Sequence, residues 1–347
     1  MRVLIIRNDK LGDFMLSYPA FGLLKINIPS CEVHALVPEY TYEMAKACTW
    51  IDNIIIDPGP SAPLHDQLKL LRLLKHNQYD ALITLYSTTR IALLGLLANI
   101  KIRLAPATKL AQFLYTIRIK QRRSRSEKPE YRYNMELVKY YLSSLGINKI
   151  MEPKPPFLQL NPTKINDLRT TFCKEHGLSP KSTLIFIHPG SGGSAVNLST
   201  AQYASLASKL SYQKNISIVI TAGPDELNKA TALAERLSEY GVSIYHSVNG
   251  LFNFAQHIAI CDLFISGSTG PLHIAGAIDK PTVAFYPRRR SATALRWQTL
   301  NKPSNRLVFT PPVTSGESNM SNIDIDDVVE KIKKAYLTSP SRDQTIE

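Results

Sequence analysis

The stretch MRVLIIRNDKLGDFMLSYP at residues 1–19 combines an apolar run, an acidic turn and the start of an apolar segment with helical spacing. The stretch VLIIR at residues 3–7 is a continuous apolar run that ends in a polar residue, Arg7, which is typical of a parallel strand buried on both faces. Gly12 and Asp13 therefore fall at a strand-to-helix turn, at the strand end where open α/β sheets bind ligands. A carboxylate there either caps the helix, by accepting backbone N–H bonds, or serves a ligand site.

Strand-like and helix-like segments alternate along both halves of the chain. Apolar runs such as EVHALV at residues 32–37 are separated by periodic segments such as LHDQLKLLRLLKH at residues 64–76. The segment TTRIALLGLLAN at residues 88–99 is interpreted as a helix capped by Ser87. This alternation predicts an α/β fold with doubly wound parallel sheets and helices on both faces.

The segment MEPKPPFLQLNP at residues 151–162 contains four prolines and predicts an extended interdomain linker. We therefore expect two Rossmann-like domains, residues 1–155 and 156–347, with the C-terminal helix free to pack back on the first domain. Both domains are expected to turn the carboxyl ends of their strands towards a shared cleft. A polar tail from Thr338 is expected to be disordered.

The composition of the 347-residue chain, 44% hydrophobic and 20% charged, is that of an ordinary globular protein. Asp9 and Asp13 interrupt the first apolar stretch, which argues against a signal peptide, and the apolar run at residues 91–98 is too short to span a membrane. The chain is therefore expected to be cytoplasmic. Four cysteines without C-x-x-C spacing or grouped histidines predict buried thiols, with neither a disulfide nor a metal site: Cys31, Cys48, Cys173 and Cys261.

Most of the positive charge lies in one segment, residues 101–132. It contains ten basic residues opposed only by Glu127 and Glu130, and so carries +8 of the formal net charge of +13. Such a segment favours an anionic partner: a membrane surface, a nucleic acid or a phosphorylated substrate. No nucleic-acid-binding motif accompanies it, so nucleic acid is not expected as a partner. A solvated loop without a specific role is the alternative.

Two turns of the second half follow strands and carry candidate ligand contacts. The loop IHPGSGGSAVNLST at residues 187–200 has three glycines that allow close backbone approach to a phosphate, although it is not a P-loop. The turn TAGPDE places Glu226 in the first turn of a helix, as an ordinary surface residue or a ligand contact.

A third turn, ISGSTGPLHIAGA at residues 265–277, also follows a strand and is a candidate anion site. Small residues at positions 268–270 expose the N–H groups of the following helix, and the hydroxyls of Ser268 and Thr269 add donors. His273 lies one turn into that helix, either as a phosphate donor or as a packed core histidine.

The stretch YPRRRSATALRW at residues 286–297 brings four arginines to the end of the next strand. Clustered guanidinium groups suit contacts with anions, and a solvated surface is the alternative. These arginines are Arg288, Arg289, Arg290 and Arg296.

The segment RNDKLGDFMLSYP resembles the opening of glycosyltransferase family 9, the ADP-heptose:lipopolysaccharide heptosyltransferase-like proteins. FIHPGSGG, TAGPDE and FISGSTGPLHIAGAIDKPTVAFYP match further landmarks of that family in the same order. The resemblance spans roughly the whole chain and implies the GT-B architecture. It also implies inverting transfer of heptose or a related sugar from a nucleotide-diphosphate donor to a lipopolysaccharide or cell-envelope glycan acceptor.

The resemblance also implies roles for particular residues. Asp13 matches the catalytic aspartate, which takes the proton of the acceptor hydroxyl, and no metal or other cofactor is implied. Glu226 matches a residue that contacts the donor ribose, and His273 matches a histidine near the donor phosphates. The candidate donor-binding residues are Gly190, Ser191, Gly192, Glu226, Ser268, Thr269, Gly270 and His273. The candidate phosphate or acceptor contacts are Arg7, Lys10, Arg288, Arg289, Arg290 and Arg296.

Two departures from the family pattern leave alternatives open. The stretch from Val196 to Ser199 reads VNLS where the family has a basic residue, and Ser268 stands where the family has an aspartate. The arginines at 288–290 or Arg296 would supply the lost positive charge. A catalytically inactive binding protein with the same fold is the alternative function. In the family the N-terminal domain binds the acceptor, so segment 101–132 is a candidate contact with the cytoplasmic face of the inner membrane.

Overall fold

The computed structural model describes residues 1–108, 110–193, 196–314 and 316–337. The chain divides into two units: Met1–Gln159 with Leu295–Leu300, and Leu160–Ala294 with Asn301–Glu347. The boundary predicted after residue 155 lies a few residues before Gln159, within the proline-rich linker. The tail from Thr338 lies outside the described residues.

The first unit is an α/β sandwich around a six-stranded parallel sheet with the order β3-β2-β1-β4-β5-β6. Its strands are β1 (Arg2–Ile6), β2 (Glu32–Pro38), β3 (Asn53–Asp57), β4 (Ala81–Thr84), β5 (Ile102–Pro106) and β6 (Ile117–Ile119). Its helices are α1 (Leu11–Met15), α2 (Tyr18–Asn27), α3 (Tyr42–Ala47), α4 (Leu64–His76), α5 (Thr89–Leu97) and α6 (Glu130–Ser144).

The strand β1 lies at the centre of this sheet because its side chains are apolar on both faces. Val3 pairs with Val33 of β2 on one side and with Ala81 of β4 on the other, and all three residues are fully buried. The strand order reverses between β1 and β4, and the crevice outside such a switch point is where open α/β sheets bind ligands.

The second unit repeats the same order, β12-β11-β10-β7-β8-β9, with all pairs parallel. Its switch point therefore lies between β7 and β10. The strands are β7 (Thr183–His188), β8 (Ile216–Ala222), β9 (Ser243–His246), β10 (Leu263–Gly267), β11 (Thr282–Phe285) and β12 (Arg306–Phe309). The helices are α7 (Pro162–Glu175), α8 (Thr200–Ser211), α9 (Leu227–Glu235), α10 (Leu251–Ile260), α11 (Gly270–Ala277) and α12 (Ile325–Ile332).

The structure corrects two predicted helix starts. Asp13 lies inside α1, as its third residue, rather than in a turn, and its carboxylate is not the helix cap: the capping position is Lys10. The helix α5 is capped by Thr88, whose side chain accepts a 3.2 Å hydrogen bond from the amide of Ile91. Ser87, the predicted cap, instead donates to the hydroxyl of Tyr115.

The C-terminal helix α12 packs on α8 within the second unit, because Val328, Val329 and Ile332 enter the apolar core of that unit. The segment Leu295–Leu300 is the late part of the chain that belongs to the first unit. Among the helices within the described ranges, none has the length and apolar character needed to cross a membrane. All four cysteines are buried with free thiols, which confirms the prediction of buried thiols.

Candidate functional site

The carboxyl end of β1 carries a buried arginine that holds an aspartate of α1. Arg7 directly follows the strand and is only 2% exposed, and its Nη2 donates to Oδ1 of Asp13. Its Nε donates over 2.7 Å to Oδ1 of Asp9 in the connecting loop. The strand, the loop and the short helix α1 therefore present two carboxylates to one guanidinium group.

Glu130, the first residue of α6, lies behind Arg7 and gathers three guanidinium groups. Its Oε1 accepts hydrogen bonds from Nη1 of Arg7 at 3.2 Å and Nη1 of Arg123 at 2.7 Å. Its Oε2 contacts Nη2 of Arg296 at 3.1 Å, and its backbone N–H donates to the Arg296 carbonyl at 2.8 Å. The segment Leu295–Leu300 is therefore tied to the first unit through an ion pair and a backbone bond.

These side chains form an electrically balanced group, the Arg7 cluster, with three arginines and three carboxylates. Burial opposes ionisation of Glu130, but Arg123, Arg7 and Arg296 hold its pKa below the usual value. Burial lowers the pKa of Arg123 to about 10, and its Nη2 is buried without a hydrogen-bond partner in the described part of the chain. The members of the Arg7 cluster are Arg7, Arg123, Arg296, Asp9, Asp13 and Glu130.

Asp13 is the member of this cluster with the most unusual acidity. Burial raises its pKa to about 7, Arg7 opposes the shift, and the charges of Asp9 and Glu130 add to it. A carboxylate with a pKa near neutrality, held at a switch point, can accept a proton and release it again under physiological conditions. The first unit therefore carries a well-placed candidate general base.

In the second unit, Glu226 fastens the loop after β7. Its Oε1 accepts a 2.9 Å bond from the amide of Gly192, and its Oε2 accepts a 3.1 Å bond from the amide of Gly223. The Nε2 of His188 lies 3.3 Å from Oε2. The hydrogen bond from His188 is the main cause that lowers the pKa of Glu226 to about 2, and the two backbone N–H groups add to it. Glu226 is thus a fixed negative charge.

Two glycines in this region leave space that side chains of neighbouring elements fill. A Cβ atom at Gly190 would lie 2.2 Å from the carboxyl carbon of Glu226, and one at Gly267 would lie 2.6 Å from Oδ1 of Asn197. Asn197 also donates to the carbonyls of Pro189 and Gly190, at 3.2 and 3.3 Å. The loop after β7 is therefore held against the ends of both β8 and β10.

The carboxyl end of β10 leads directly into helix α11. Ser266 donates to the carbonyl of His188 at 3.0 Å, which ties β10 to β7 across the switch point. Thr269 occupies the capping position of α11, and its side chain makes no capping bond. His273 is buried, its Nδ1 has no hydrogen-bond partner within the described ranges, and burial lowers its pKa to about 4. A helix start with a neutral imidazole behind it suits an anionic ligand.

Comparison with known proteins identifies the family. A sequence model of glycosyltransferase family 9 (heptosyltransferase) matches residues 67–307. A protein of Haemophilus influenzae described as a putative glycosyltransferase is 43% identical over 332 residues, which cover 95% of each chain. The chain belongs to glycosyltransferase family 9.

Two further likenesses agree with this assignment to family 9. The lipooligosaccharide heptosyltransferase 2 of Haemophilus influenzae is 26% identical over 299 residues, covering 82% of this chain and 83% of the other. The solved structure of Escherichia coli ADP-heptose lps heptosyltransferase II has a TM-score of 0.78 at 18% identity, covering 98% of this chain and 100% of that one. The family 9 chain is therefore a glycosyltransferase with the GT-B fold of two Rossmann-like domains, which confirms the predicted fold class and enzyme type.

The structure places the predicted residues of the family 9 enzyme at three locations. Arg7 and Asp13 lie together at the first switch point, while Lys10 is exposed at the start of α1. The predicted cluster of four arginines is divided, because Arg296 belongs to the first unit and contacts Glu130. The other three follow β11, and Arg289 and Arg290 are exposed there.

The predicted donor residues lie at the ends of β7, β8 and β10 and at the start of α11. Gly190 is buried against Glu226, and Gly192 donates to the same carboxylate. Val196 is exposed, so the departure from the basic family residue lies on the surface of the loop. The remaining donor candidates, which flank the two turns, are Ser191, Ser268, Thr269, Gly270 and His273.

Four residues that shape these sites were missed by the sequence analysis. Glu130 and Arg123 are opposite charges seven residues apart within the basic segment, but Arg7, which Glu130 also binds, is 123 residues away in sequence. His188 ends a buried strand beside the glycine loop, a position at which a histidine deserved to be singled out. Asn197 gave no signal beyond its place in that loop. In the residues that the structure describes, no group of three His, Cys, Asp or Glu side chains is arranged to bind a metal.

Proposed function

We propose that this family 9 enzyme transfers heptose or a related sugar from a nucleotide-diphosphate donor to a lipopolysaccharide or cell-envelope glycan acceptor, with inversion at the anomeric carbon. The observation that carries the proposal is the partly buried Asp13 carboxylate, with its pKa raised to about 7 and its Oδ1 bound by Arg7. The names of the relatives, which refer to heptose, lipooligosaccharide and ADP-heptose, support the classes of donor and acceptor.

In the proposed reaction, Asp13 acts as the general base. Its Oδ2 takes the proton of the acceptor hydroxyl while the hydroxyl oxygen forms a bond to the anomeric carbon of the donor sugar. The bond from that carbon to the diphosphate oxygen breaks on the opposite face, so the configuration inverts. Arg7 keeps the carboxylate oriented through Oδ1, which limits the rotation of the base.

The second unit would hold the donor. We assign the diphosphate to the start of α11, at Ser268, Thr269 and Gly270, with His273 one turn behind. Negative charge develops on the leaving diphosphate, and this helix start would stabilise it. Glu226 and the backbone at Gly190–Gly192 are assigned to the nucleoside side of the donor, and the arginines at 288–290 to the phosphates. The mechanism uses no metal or other cofactor.

The first unit would hold the acceptor, in keeping with its general base. The basic segment 101–132 is assigned to the anionic groups of a lipid-anchored acceptor and to peripheral contact with the cytoplasmic face of the inner membrane, rather than to nucleic acid.

A thermal-shift panel of nucleotide-sugars, including ADP-heptose, tests the proposal on the wild type and on Asp13→Ala. We expect one donor to raise the Tm of both proteins, and only the wild type to consume it in the presence of a lipid-core acceptor. If no nucleotide or nucleotide-sugar shifts the Tm, the proposal is wrong and Val196 and Ser268 mark a lost donor site.

A further inference from the structure

The helix α5 and the adjacent 3-10 helix Leu110–Leu114 expose five large apolar side chains on the first unit. Leu110 is 83% exposed and Phe113 is 68% exposed, so both side chains are largely in solvent. We call this the α5 surface, and its apolar members are Leu93, Leu96, Leu97, Leu110 and Phe113.

These side chains point outwards because the opposite faces of both elements form the core. Ile91 and Leu94 of α5 and Ala111 of the 3-10 helix are buried in one apolar cluster beside β4. On α5, exposed residues 93, 96 and 97 have the spacing of three and four that places side chains on one helix face. The exposed apolar side chains of the α5 surface therefore do not contribute to the core of the first unit.

The surroundings of the α5 surface are strongly basic. Between Asp80 and Glu127 the sequence contains nine lysines and arginines and no acidic residue. The guanidinium of Arg118 lies 5.6 Å from the centre of the Phe113 ring, so cationic and apolar side chains adjoin directly. Lys101, Lys120 and Arg122 are exposed as well.

The positive charges near the α5 surface differ from those elsewhere in segment 101–132. Arg123 pairs with Glu130 at 2.7 Å, Lys128 pairs with Glu136, and Arg132 pairs with Glu152 at 2.6 Å. In contrast, no carboxylate in the described ranges forms an ion pair with these four cations: Lys101, Arg118, Lys120 and Arg122. Of these four cations, Arg118 adjoins Phe113 directly, and Lys101 follows the last residue of α5 by four positions.

We propose that the α5 surface inserts into the headgroup region of an anionic lipid bilayer. An apolar patch beside several cations matches a surface that offers acyl chains below a layer of negative phosphates. Leu110 and Phe113 enter below the headgroups, while Arg118, Lys120 and Lys101 contact lipid phosphates. This inference rests on the peripheral membrane contact included in the proposed function. It adds that apolar side chains insert into the bilayer, beyond electrostatic attraction of the basic segment to its surface.

The test is flotation of the full chain with vesicles of phosphatidylcholine, with and without phosphatidylglycerol. The double variant Leu110→Ser/Phe113→Ser removes the most exposed apolar side chains, and Val313→Ser, which alters an equally exposed residue of the second unit, is the matched control. We expect the double variant to lower the partition coefficient for anionic vesicles by about tenfold or more, because the apolar area no longer leaves water. Replacing Arg118 or Lys120 by glutamine should lower it by about fivefold each.

Insertion is read directly from Phe113→Trp, whose emission should shift to the blue and be quenched by brominated acyl chains when anionic vesicles are added. The proposal is wrong if the double serine variant binds like the wild type, since the contact is then electrostatic alone. It is also wrong if vesicles do not bind at all, or if the double variant only dissociates a dimer, which would assign the surface to a second copy of the chain. Sugar transfer to a detergent-solubilised acceptor is measured separately, so failure of insertion and failure of the proposed transferase function remain distinguishable.

Discussion

Arg7 donates from Nη2 to Oδ1 of Asp13, and the same guanidinium donates from Nη1 to Glu130 over 3.2 Å. The orientation of the candidate base is therefore set by a side chain that is itself fixed from behind. A flexible carboxylate would have to be ordered during each reaction cycle, whereas this one is already positioned when the acceptor arrives. The Arg7 cluster thus links the rigidity of the first unit to the chemistry assigned to it.

The acidity of Asp13 predicts the pH dependence of transfer. Because burial raises its pKa to about 7, the basic form is present above that pH and is lost as the pH falls through it. We expect kcat/KM to decrease by about tenfold per pH unit below about pH 7 and to level off above it. Steady-state rates between pH 5 and 9, at a fixed ionic strength, measure this profile. A rate that stays constant down to pH 5 would contradict the assignment.

Glu130 is expected to be essential for the stability of the first unit. Glu130→Gln leaves the buried guanidinium of Arg7 and the partly buried ones of Arg123 and Arg296 around a neutral amide, which should lower the free energy of unfolding by about 3–5 kcal/mol. Glu152→Gln is the matched control, because Glu152 also pairs with two cations but its side chain is 37% exposed. That change should cost less than about 1 kcal/mol. Denaturant unfolding measures the free energy of unfolding of both variants. Equal losses would show that burial of Glu130 does not make its ion pairs more important than those of Glu152.

Gly190 is expected to tolerate no larger residue. In Gly190→Ala the new Cβ would overlap the carboxyl group of Glu226, so either the loop after β7 or Glu226 must move. We expect a loss of about 1–3 kcal/mol in stability and a higher KM for the donor. Gly316→Ala serves as control, because a Cβ there meets no atom within 4 Å. Donor KM and Tm report the two effects, and a Gly190→Ala protein that matches the control would show that the loop adapts freely.

Substitution of His273 distinguishes a role in core packing from a role in ligand binding. His273→Leu removes a buried Nδ1 that has no hydrogen-bond partner in the described residues, so the Tm of the free protein should stay the same or rise. The Tm increase caused by a nucleoside diphosphate should nevertheless decrease or disappear. His65→Leu, at an exposed position of the first unit, should leave that increase unchanged. An unaltered nucleotide response in His273→Leu would show that the histidine serves packing only.

Local patterns predicted most of the elements, because their causes are local. The helix α4 spans Leu64–His76, the segment predicted from its apolar periodicity, and β1 was predicted from its continuous apolar run. The strand β6 was missed because it has three residues at the edge of a sheet, within a segment interpreted only through its charge. Short edge strands receive their structure from a neighbour rather than from their own sequence.

The sequence predicted that the candidate site residues lie at strand ends, but it did not predict which side chains they contact. The sequence places Arg7 and Asp13 six residues apart, and the resemblance to the family singles out the aspartate. Pairing with Glu130 depends on the fold bringing α6 to the end of β1, for which no local pattern exists. Arg296 was grouped with the arginines at 288–290 because it is close to them in sequence. The structure instead assigns Arg296 to the first unit, where it pairs with Glu130, and no local pattern predicts that pairing.

Sugar transfer by Asp13→Asn tests the role of Asp13 as the general base most directly. The amide keeps the size of the side chain but cannot take a proton, so the variant should bind the donor as tightly as the wild type and transfer sugar at least about a hundredfold more slowly. Single-turnover reactions with the donor found by thermal shift and a lipid-core acceptor, followed by mass spectrometry of the acceptor, give this rate. A product with one added sugar from the wild type and almost none from Asp13→Asn is the predicted result. Equal rates for the two proteins would contradict the role of Asp13 as the base.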